Sequence, residues 1–442
     1  MSAAPDRLIL FTRWPAPGTT KTRLIPLLGP EGAAEFQRRL TERAARVAAA
    51  ARSGGGLSLE IRHSGGTEAD MRRWLGERFR YRPQGRGDVG ARMRACLEAA
   101  FAEGARRAVL MGADIPALTP EILTRAFAAL DDCDLVFGPA ADGGYYLIGA
   151  TPAGFRDSRV YLGPGVAWGA SDVLARTLRL ARGANLNCTL LEPLADVDGP
   201  ADLPAAMRAL CCGAGRPALS VVIPALNEAG QLGQTLSAID PQNRPEVIVA
   251  DGGSTDGTLA IARAAGVRAL AARRPRSLQM NAGAAAAAGD RLLFLHADTR
   301  LPEGFQEQVR VALARPGAAA GAFHLEIDGA GGRLRIIERA ANWRARFLQM
   351  PYGDQALFMA RDVFWESGAF LPIPIMEDFE LVRRLKRRGR IVLAAGCAAT
   401  SARRWRQIGA LRTWMINQRV IIGYFMGVAP ERLAAWYRPR NR

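Results

Sequence analysis

A chain of 442 residues is too long for one ordinary hydrophobic core, so two domains are expected. Its 49% hydrophobic and 23% charged content excludes a mainly disordered chain, and no run reaches the ~20 apolar residues that a spanning helix needs. The net charge of +17 is uneven: the last 62 residues hold fifteen basic side chains against one acid, Glu431. Such a tail fits an anionic surface better than nucleic acid, because neither zinc-ligand spacing nor an aromatic-studded RNA platform accompanies it. The six cysteines form no C-x-x-C pair, and residues 1–6 run straight into a strand pattern without a signal-peptide profile, so a reduced cytoplasmic setting is expected.

In chain order, the apolar runs Leu8–Phe11, Leu57–Ile61, Ala108–Met111 and Leu135–Phe137 predict buried strands, separated by helical stretches such as 31–52. A loop rich in glycine and cations, with Arg13, Gly18, Lys21 and Arg23, follows the first strand. Backbone N–H groups and fixed cations in such a loop can wrap a triphosphate, although the Gly-Lys-Ser/Thr of a Walker loop is missing. The sequence from Phe11 to Leu24 resembles the G-x-x-K-T-R-L signature of the DUF2064 "transferase 1" family, which is similar to nucleotidyltransferases. The motifs at 84–93, Gly112–Pro116 and Asp142–Tyr146 resemble it too. The resemblance spans about residues 7 to 210. It implies nucleotide contacts at Arg13, Lys21, Arg23, Asp142 and Gly143, and a metal held by Asp114 and by Asp198, the late acid of Asp196-Val197-Asp198. Two readings of this half stay open, a nucleotide-activating enzyme and a non-catalytic binding module.

A small-residue stretch, 211–217, predicts a linker with its boundary near Gly213, giving domains 1–213 and 214–442. Beyond it, Leu219–Ile223, Val247–Ala250, Leu292–Leu295 and Ala319–Phe323 repeat the strand pattern, and the alanine run 282–289 predicts a helix. Two turns then stand out, each after a predicted strand: Asp251 to Gly257, and His296-Ala297-Asp298. Carboxylates at the C-terminal ends of parallel strands occupy the rim where α/β sheets bind ligands. Glu377-Asp378 opens the helical run 379–388, where a carboxylate can serve as a base.

These residues resemble an inverting family 2 glycosyltransferase of the GT-A type. The fold expected is therefore α/β, as two tandem GT-A-like, Rossmann-like domains of the nucleotide-diphospho-sugar transferase kind. The resemblance implies nucleotide contacts at Pro224, Asn227 and Glu228, with Asp251 and Asp256 beside the nucleoside. Asp298 would hold Mg²⁺ or Mn²⁺ at the pyrophosphate and Asp378 would be the base, with Glu377 as the alternate. The metal-binding pair of acids is incomplete, since His296 stands at its first position. The segments 276–283, Tyr352–Gln355 and 375–378 are similar to a "transferase 2" group associated with radical-SAM, selenodomain and arsenosugar clusters. They add Arg276, Gln279, Asn281, Asp354 and Gln355 to the donor site, and the basic-aromatic stretch near 403 adds Arg404 and Trp405. The partners implied are a nucleoside-diphosphate sugar and a small-molecule or lipid acceptor. The helical stripe of Ile408, Leu411, Met415, Ile422 and Phe425 implies either packing on its own domain or peripheral contact with the inner membrane face.

Overall fold

The computed structural model describes residues 5–51, 56–210, 217–239 and 245–437. The linker residues 211–216, the predicted boundary at Gly213 among them, lie outside the described residues. The chain divides into two compact units, residues 1–21 with 36–210 and residues 22–35 with 211–442.

The first unit is built on a seven-stranded sheet: β1 (Asp6–Arg13), β2 (Leu57–Ser64), β3 (Arg80–Pro83), β4 (Ala108–Gly112), β5 (Leu135–Pro139), β6 (Tyr145–Ala150) and β7 (Cys188–Leu190). Its order is β3-β2-β1-β4-β6-β5-β7, with β6 antiparallel to both its neighbours and the other pairings parallel. Alternation along β1 sends Leu8 and Leu10 into one core and Ile9 into the core on the opposite face. Both faces are covered, so the strand reads as one continuous apolar run.

The second unit holds β8 (Leu219–Ala225), β9 (Glu246–Asp251), β10 (Arg268–Ala271), β11 (Arg291–Phe294), β12 (Thr299–Arg300), β13 (Ala318–Asp328), β14 (Phe358–Ala360) and β15 (Arg390–Ser401). The order is β10-β9-β8-β11-β14-β13-β15-β12, with β14 antiparallel to β11 and β13. With the two-residue edge strand β12 set aside, both sheets follow the same plan, including one reversed strand at the same place. The order of strands reverses between β8 and β11, and in doubly wound sheets that crevice receives the ligand.

The helix Arg276–Ala286 packs against β8 through small residues. A Cβ on Gly283 would stand 2.4 Å from Val222 Cγ1, so the helix can approach the strand only because that position has no side chain. The predicted alanine helix is thus real, but it starts six residues earlier than the alanine run and stops before Gly289. Glu246 Oε2 accepts from Ala288 N at 2.7 Å and Ser220 Oγ from Gly289 N at 2.8 Å, which takes those amides out of the helical ladder. No helix among the described residues is long and apolar enough to cross a membrane.

Candidate active site

The loop after β8 is held by the turn after β9. Asn227 adopts a left-handed backbone (φ 54°), and its Oδ1 accepts from Thr255 N at 2.9 Å while its own N donates to Ser254 Oγ. Asp251, 2% exposed, accepts from Gly253 N and Ser254 N at 3.0 Å each. Asp256 accepts from Ala229 N at 3.1 Å and Thr258 N at 3.0 Å, and the Thr258 hydroxyl holds its carboxyl below the usual range. Both carboxylates therefore shape the turn, as aspartates in turns commonly do.

Three further predicted donor residues are engaged inside the fold. Gln279 Nε2 donates to Ala225 O at 2.8 Å and Ala250 O at 3.0 Å, stapling the ends of β8 and β9. Asn281 pairs with Phe370 through both amide atoms, and Gln355 Nε2 donates to Phe323 O at 3.0 Å. All three are buried, so their amides brace the walls of the crevice and face the main chain. Trp405 packs in a small apolar cluster with Leu325, Ile327 and Leu334. The Arg404 side chain lies outside the described residues.

What remains at the crevice is a compact charged set. Pro224, His296, Gly353, Glu377 and Asp378 line one pocket with Met280 and Phe294. Asp378 Oδ2 accepts from Gly353 N at 2.5 Å, and its Oδ1 from Phe379 N at 2.7 Å. Met376, left-handed at φ 67°, turns the chain into the helix Glu377–Leu385 and so sets the direction of that carboxylate. A Cβ on Gly353 would lie 3.0 Å from both Asp378 Oδ2 and His296 Nε2, which fixes the carboxylate and the imidazole on either side of one small gap. Arg276 Nη1 stands 3.3 Å from His296 Nε2. Burial, with Arg276 adding to it, presses His296 down to about 3, so the ring is neutral and its Nε2 accepts from Arg276.

Asp298 lies in the field of two guanidiniums. Burial raises its carboxyl above the ordinary value while Arg403 and Arg276 oppose the rise. Arg403 Nη2 donates to both Glu228 oxygens, at 3.0 and 2.9 Å. Arg403 is the neighbour of the predicted Arg404, whose side chain lies outside the described residues. Asp354 sits beside Asp378, and its Oδ1 is buried without a hydrogen-bond partner. Burial, against the pull of Arg344, lifts its carboxyl to about 6.

Glu377 is pushed up to about 7, by burial first and by the charge of Asp378 second. A raised carboxyl binds its proton more tightly in the fold than in the unfolded chain, so this group costs stability as pH rises from about 4.5 to about 7. Glu377→Gln removes that cost. Its melting temperature relative to the parent is expected to be higher at about pH 8 than at about pH 5, checked by calorimetry at both; an equal difference at the two values would show Glu377 titrating normally.

In the first unit, Lys21 (φ 47°) donates to Val197 O at 2.6 Å and lies 3.1 Å from Asp114 Oδ1. Asp142, Asp196 and Asp198 bring one oxygen each within 4.8 Å of one another. Burial, then the Asp142 charge, raises the Asp196 carboxyl. The sequence assigned the metal to Asp114 and Asp198; the geometry sets Asp198 with Asp142 and Asp196 and gives Asp114 to Lys21. Gly143 is required in the turn that carries Asp142, because at φ 89° a Cβ would meet Ser171 O at 1.8 Å. Arg13 is exposed at the end of β1, and Arg23 falls in the segment grouped with the second unit.

Two family models match the chain. Residues 45–169 match DUF2064, an uncharacterized protein conserved in bacteria, and residues 220–367 match glycosyl transferase family 2. A solved structure assigned as a nucleotide-diphospho-sugar transferase from Desulfovibrio desulfuricans G20 is 32% identical over 46% of this chain and 87% of its own, with a TM-score of 0.42. The second unit thus contains a segment that matches the glycosyl transferase family 2 model. The chain also shares 25% identity with glucosyl-3-phosphoglycerate synthase from Mycobacterium tuberculosis, over 52% of this chain and 84% of that one (TM-score 0.35), solved with Mn²⁺, UDP and glucosyl-3-phosphoglycerate. S. aureus TarS 1–349 in complex with UDP-GlcNAc is 17% identical, over 41% of this chain and 58% of that fragment, with a TM-score of 0.33. No curated protein sequence matches. The family 2 segment includes Asp251, Asp298 and Asp354 and ends before Glu377 and Asp378, whereas the DUF2064 segment includes Asp114 and Asp142 and ends before Asp196.

Proposed function

We propose that the second unit transfers a sugar from a nucleoside-diphosphate sugar to an acceptor hydroxyl with inversion. The observation that carries this is the placing of Asp378 and His296 around the Gly353 gap, beside Asp298, at the switch point of the sheet. Asp378 takes the proton of the acceptor hydroxyl as its oxygen attacks the anomeric carbon, and the bond from that carbon to the diphosphate breaks on the opposite side. Its two backbone hydrogen bonds hold the carboxylate in place before the acceptor arrives. Neutral His296 and Arg276 stand where they can contact the donor phosphates or the sugar.

Asp298 offers a divalent cation one hard oxygen ligand, whose burial cost a cation would offset; the group of three ligand carboxylates among the described residues lies in the first unit. Mg²⁺ or Mn²⁺ there would supply charge neutralisation to the departing diphosphate. Full-length protein incubated with Mn²⁺ and a panel of UDP-, GDP- and dTDP-sugars is expected to release nucleoside diphosphate from at least one donor. Absence of binding and of hydrolysis with every donor would remove the proposal. The resemblance of 276–283 to the arsenosugar-associated group makes a small arsenical one acceptor class to include.

For the first unit, the three crowded carboxylates and Lys21 support nucleotide handling with a cation at Asp142, Asp196 and Asp198. Asp196→Asn is expected to weaken Mn²⁺ binding to this unit by about 10- to 100-fold in calorimetric titration. Pyrophosphate release from NTP plus a sugar phosphate, lost in the same variant, would make the unit catalytic; retained Mn²⁺ affinity in the variant would exclude the site.

A further inference from the structure

Two helices of the second unit each expose an apolar stripe. On the helix Gly332–Phe347, Ile336, Trp343 and Phe347 recur one and two turns apart, with Phe347 62% exposed. On the helix Ala410–Phe425, Met415, Ile422 and Phe425 do the same, and Met426 follows at 77% exposed. Monomers rarely leave so many large apolar groups in water along single helix faces. The sequence assigned one stripe, from Ile408 to Phe425; Ile408 instead ends the separate helix Arg403–Ile408, and the Leu411 side chain lies outside the described residues.

The two stripes border the same aromatic cluster. Trp343 and Phe347 stack at 5.6 Å, and the adjoining Arg344 lies 3.4 Å over the Tyr352 ring. Tyr352 touches Phe379 at 6.2 Å, and Phe379 meets Tyr424 at 5.3 Å and Phe425 at 5.8 Å. Phe379 is the residue after Asp378. The exposed surface thus closes around the side of the crevice where the candidate base stands.

Charge decides what covers it. The helix Ala410–Phe425 contains no acid, and Arg412 and Arg419 are exposed beside its stripe. Arg339 and Arg346 are exposed beside the other. A second copy would bring two such basic faces together, whereas anionic headgroups neutralise them while the apolar side chains enter the interface.

We propose that these two helix faces dock the protein on an anionic lipid bilayer, with the Asp378 side of the crevice turned to the headgroups. Docking itself is independent of the transferase reading; only the consequence that the acceptor hydroxyl sits in or on the membrane rests on it. The full chain is mixed with phosphatidylcholine vesicles, with or without about 30% phosphatidylglycerol, at about 0.15 M salt, and sedimented. The bound fraction is expected to rise at least about tenfold with the anionic lipid. It is expected to fall by a similar factor in Trp343→Ser/Phe347→Ser and, separately, in Ile422→Ser/Met426→Ser, each with an unchanged melting temperature. Weak binding to both vesicle types, or full binding by both variants, overturns the proposal. So does a dimer in sedimentation velocity that the same substitutions dissolve, which would assign the stripes to a second copy. Because the readout uses no donor, a failed sugar assay leaves it intact.

Discussion

The Asp378→Asn protein is expected to turn over its donor about 10³-fold more slowly than the parent, within the range that a positioned general base contributes. Asparagine keeps one acceptor oxygen, enough for Gly353 N, now at 2.5 Å from Oδ2, or for Phe379 N on Oδ1 but not for both, so one of the two backbone hydrogen bonds is given up while the side-chain volume is conserved. What is lost for the reaction is the capacity to hold a proton. Donor affinity should therefore stay within a few-fold while kcat falls, the pattern of an interaction made in the transition state. Glu377→Gln is the internal comparison. If it costs more in kcat than Asp378→Asn, the base is Glu377 and the two carboxylates exchange roles. Glu377, raised to about 7, loses its proton beside Asp378 near neutrality, so the expected pH–rate profile carries a step there. Replacing Glu377 should remove that step.

Asp298→Ala is expected to lower kcat/KM by about 10³-fold, the several kcal/mol that a cation at a departing diphosphate supplies. Arg276 and Arg403 remain, and the removal of the carboxylate leaves their charges less fully opposed, by Glu377 and Asp378 on one and Glu228 on the other. Donor binding in the absence of Mn²⁺ should then hold or tighten slightly, while the increment that Mn²⁺ adds to donor affinity disappears. Calorimetric titration of donor with and without Mn²⁺ separates the two terms. Turnover unchanged by the substitution would place the cation, if one is used, elsewhere.

The strand scaffold was legible because a strand covered on both faces must be apolar at every position, as Leu219 to Ile223 nearly is, and such runs stand out without any alignment. The reversed strands β6 and β14 were not, since Tyr145–Ala150 and Phe358–Ala360 differ from their parallel neighbours only in direction, which no residue type encodes. At the site, acids were found and their tasks were not. Asp251 and Asp256 accept from amides of other residues, whereas the backbone N–H that favours the Asp298 carboxylate is its own, yet all three follow apolar strands. The difference lies in how many N–H groups the local backbone aims at each carboxylate. Gln279 and Asn281 were read as ligand contacts by resemblance, and a buried amide that braces main-chain carbonyls looks the same in one dimension as one that braces a substrate. Lys21, Asp114, Asp142 and Asp198 were all found, but the grouping of Asp142 with Asp196 and Asp198 depends on the turn at Gly143, which the sequence does not display.

The grip of Glu228 on Arg403 bears on the energetics of donor capture. A free arginine surrenders several rotatable bonds when it meets a phosphate, and that loss of freedom subtracts from affinity. Here the Arg403 side chain is already held by a carboxylate on the β8 loop, so on the proposed reading the ordering cost would be met during folding and not during each catalytic cycle. The same carboxylate tempers the positive field at rest, and so an anionic donor arriving there meets a cation whose direction is set but whose charge is only partly spoken for.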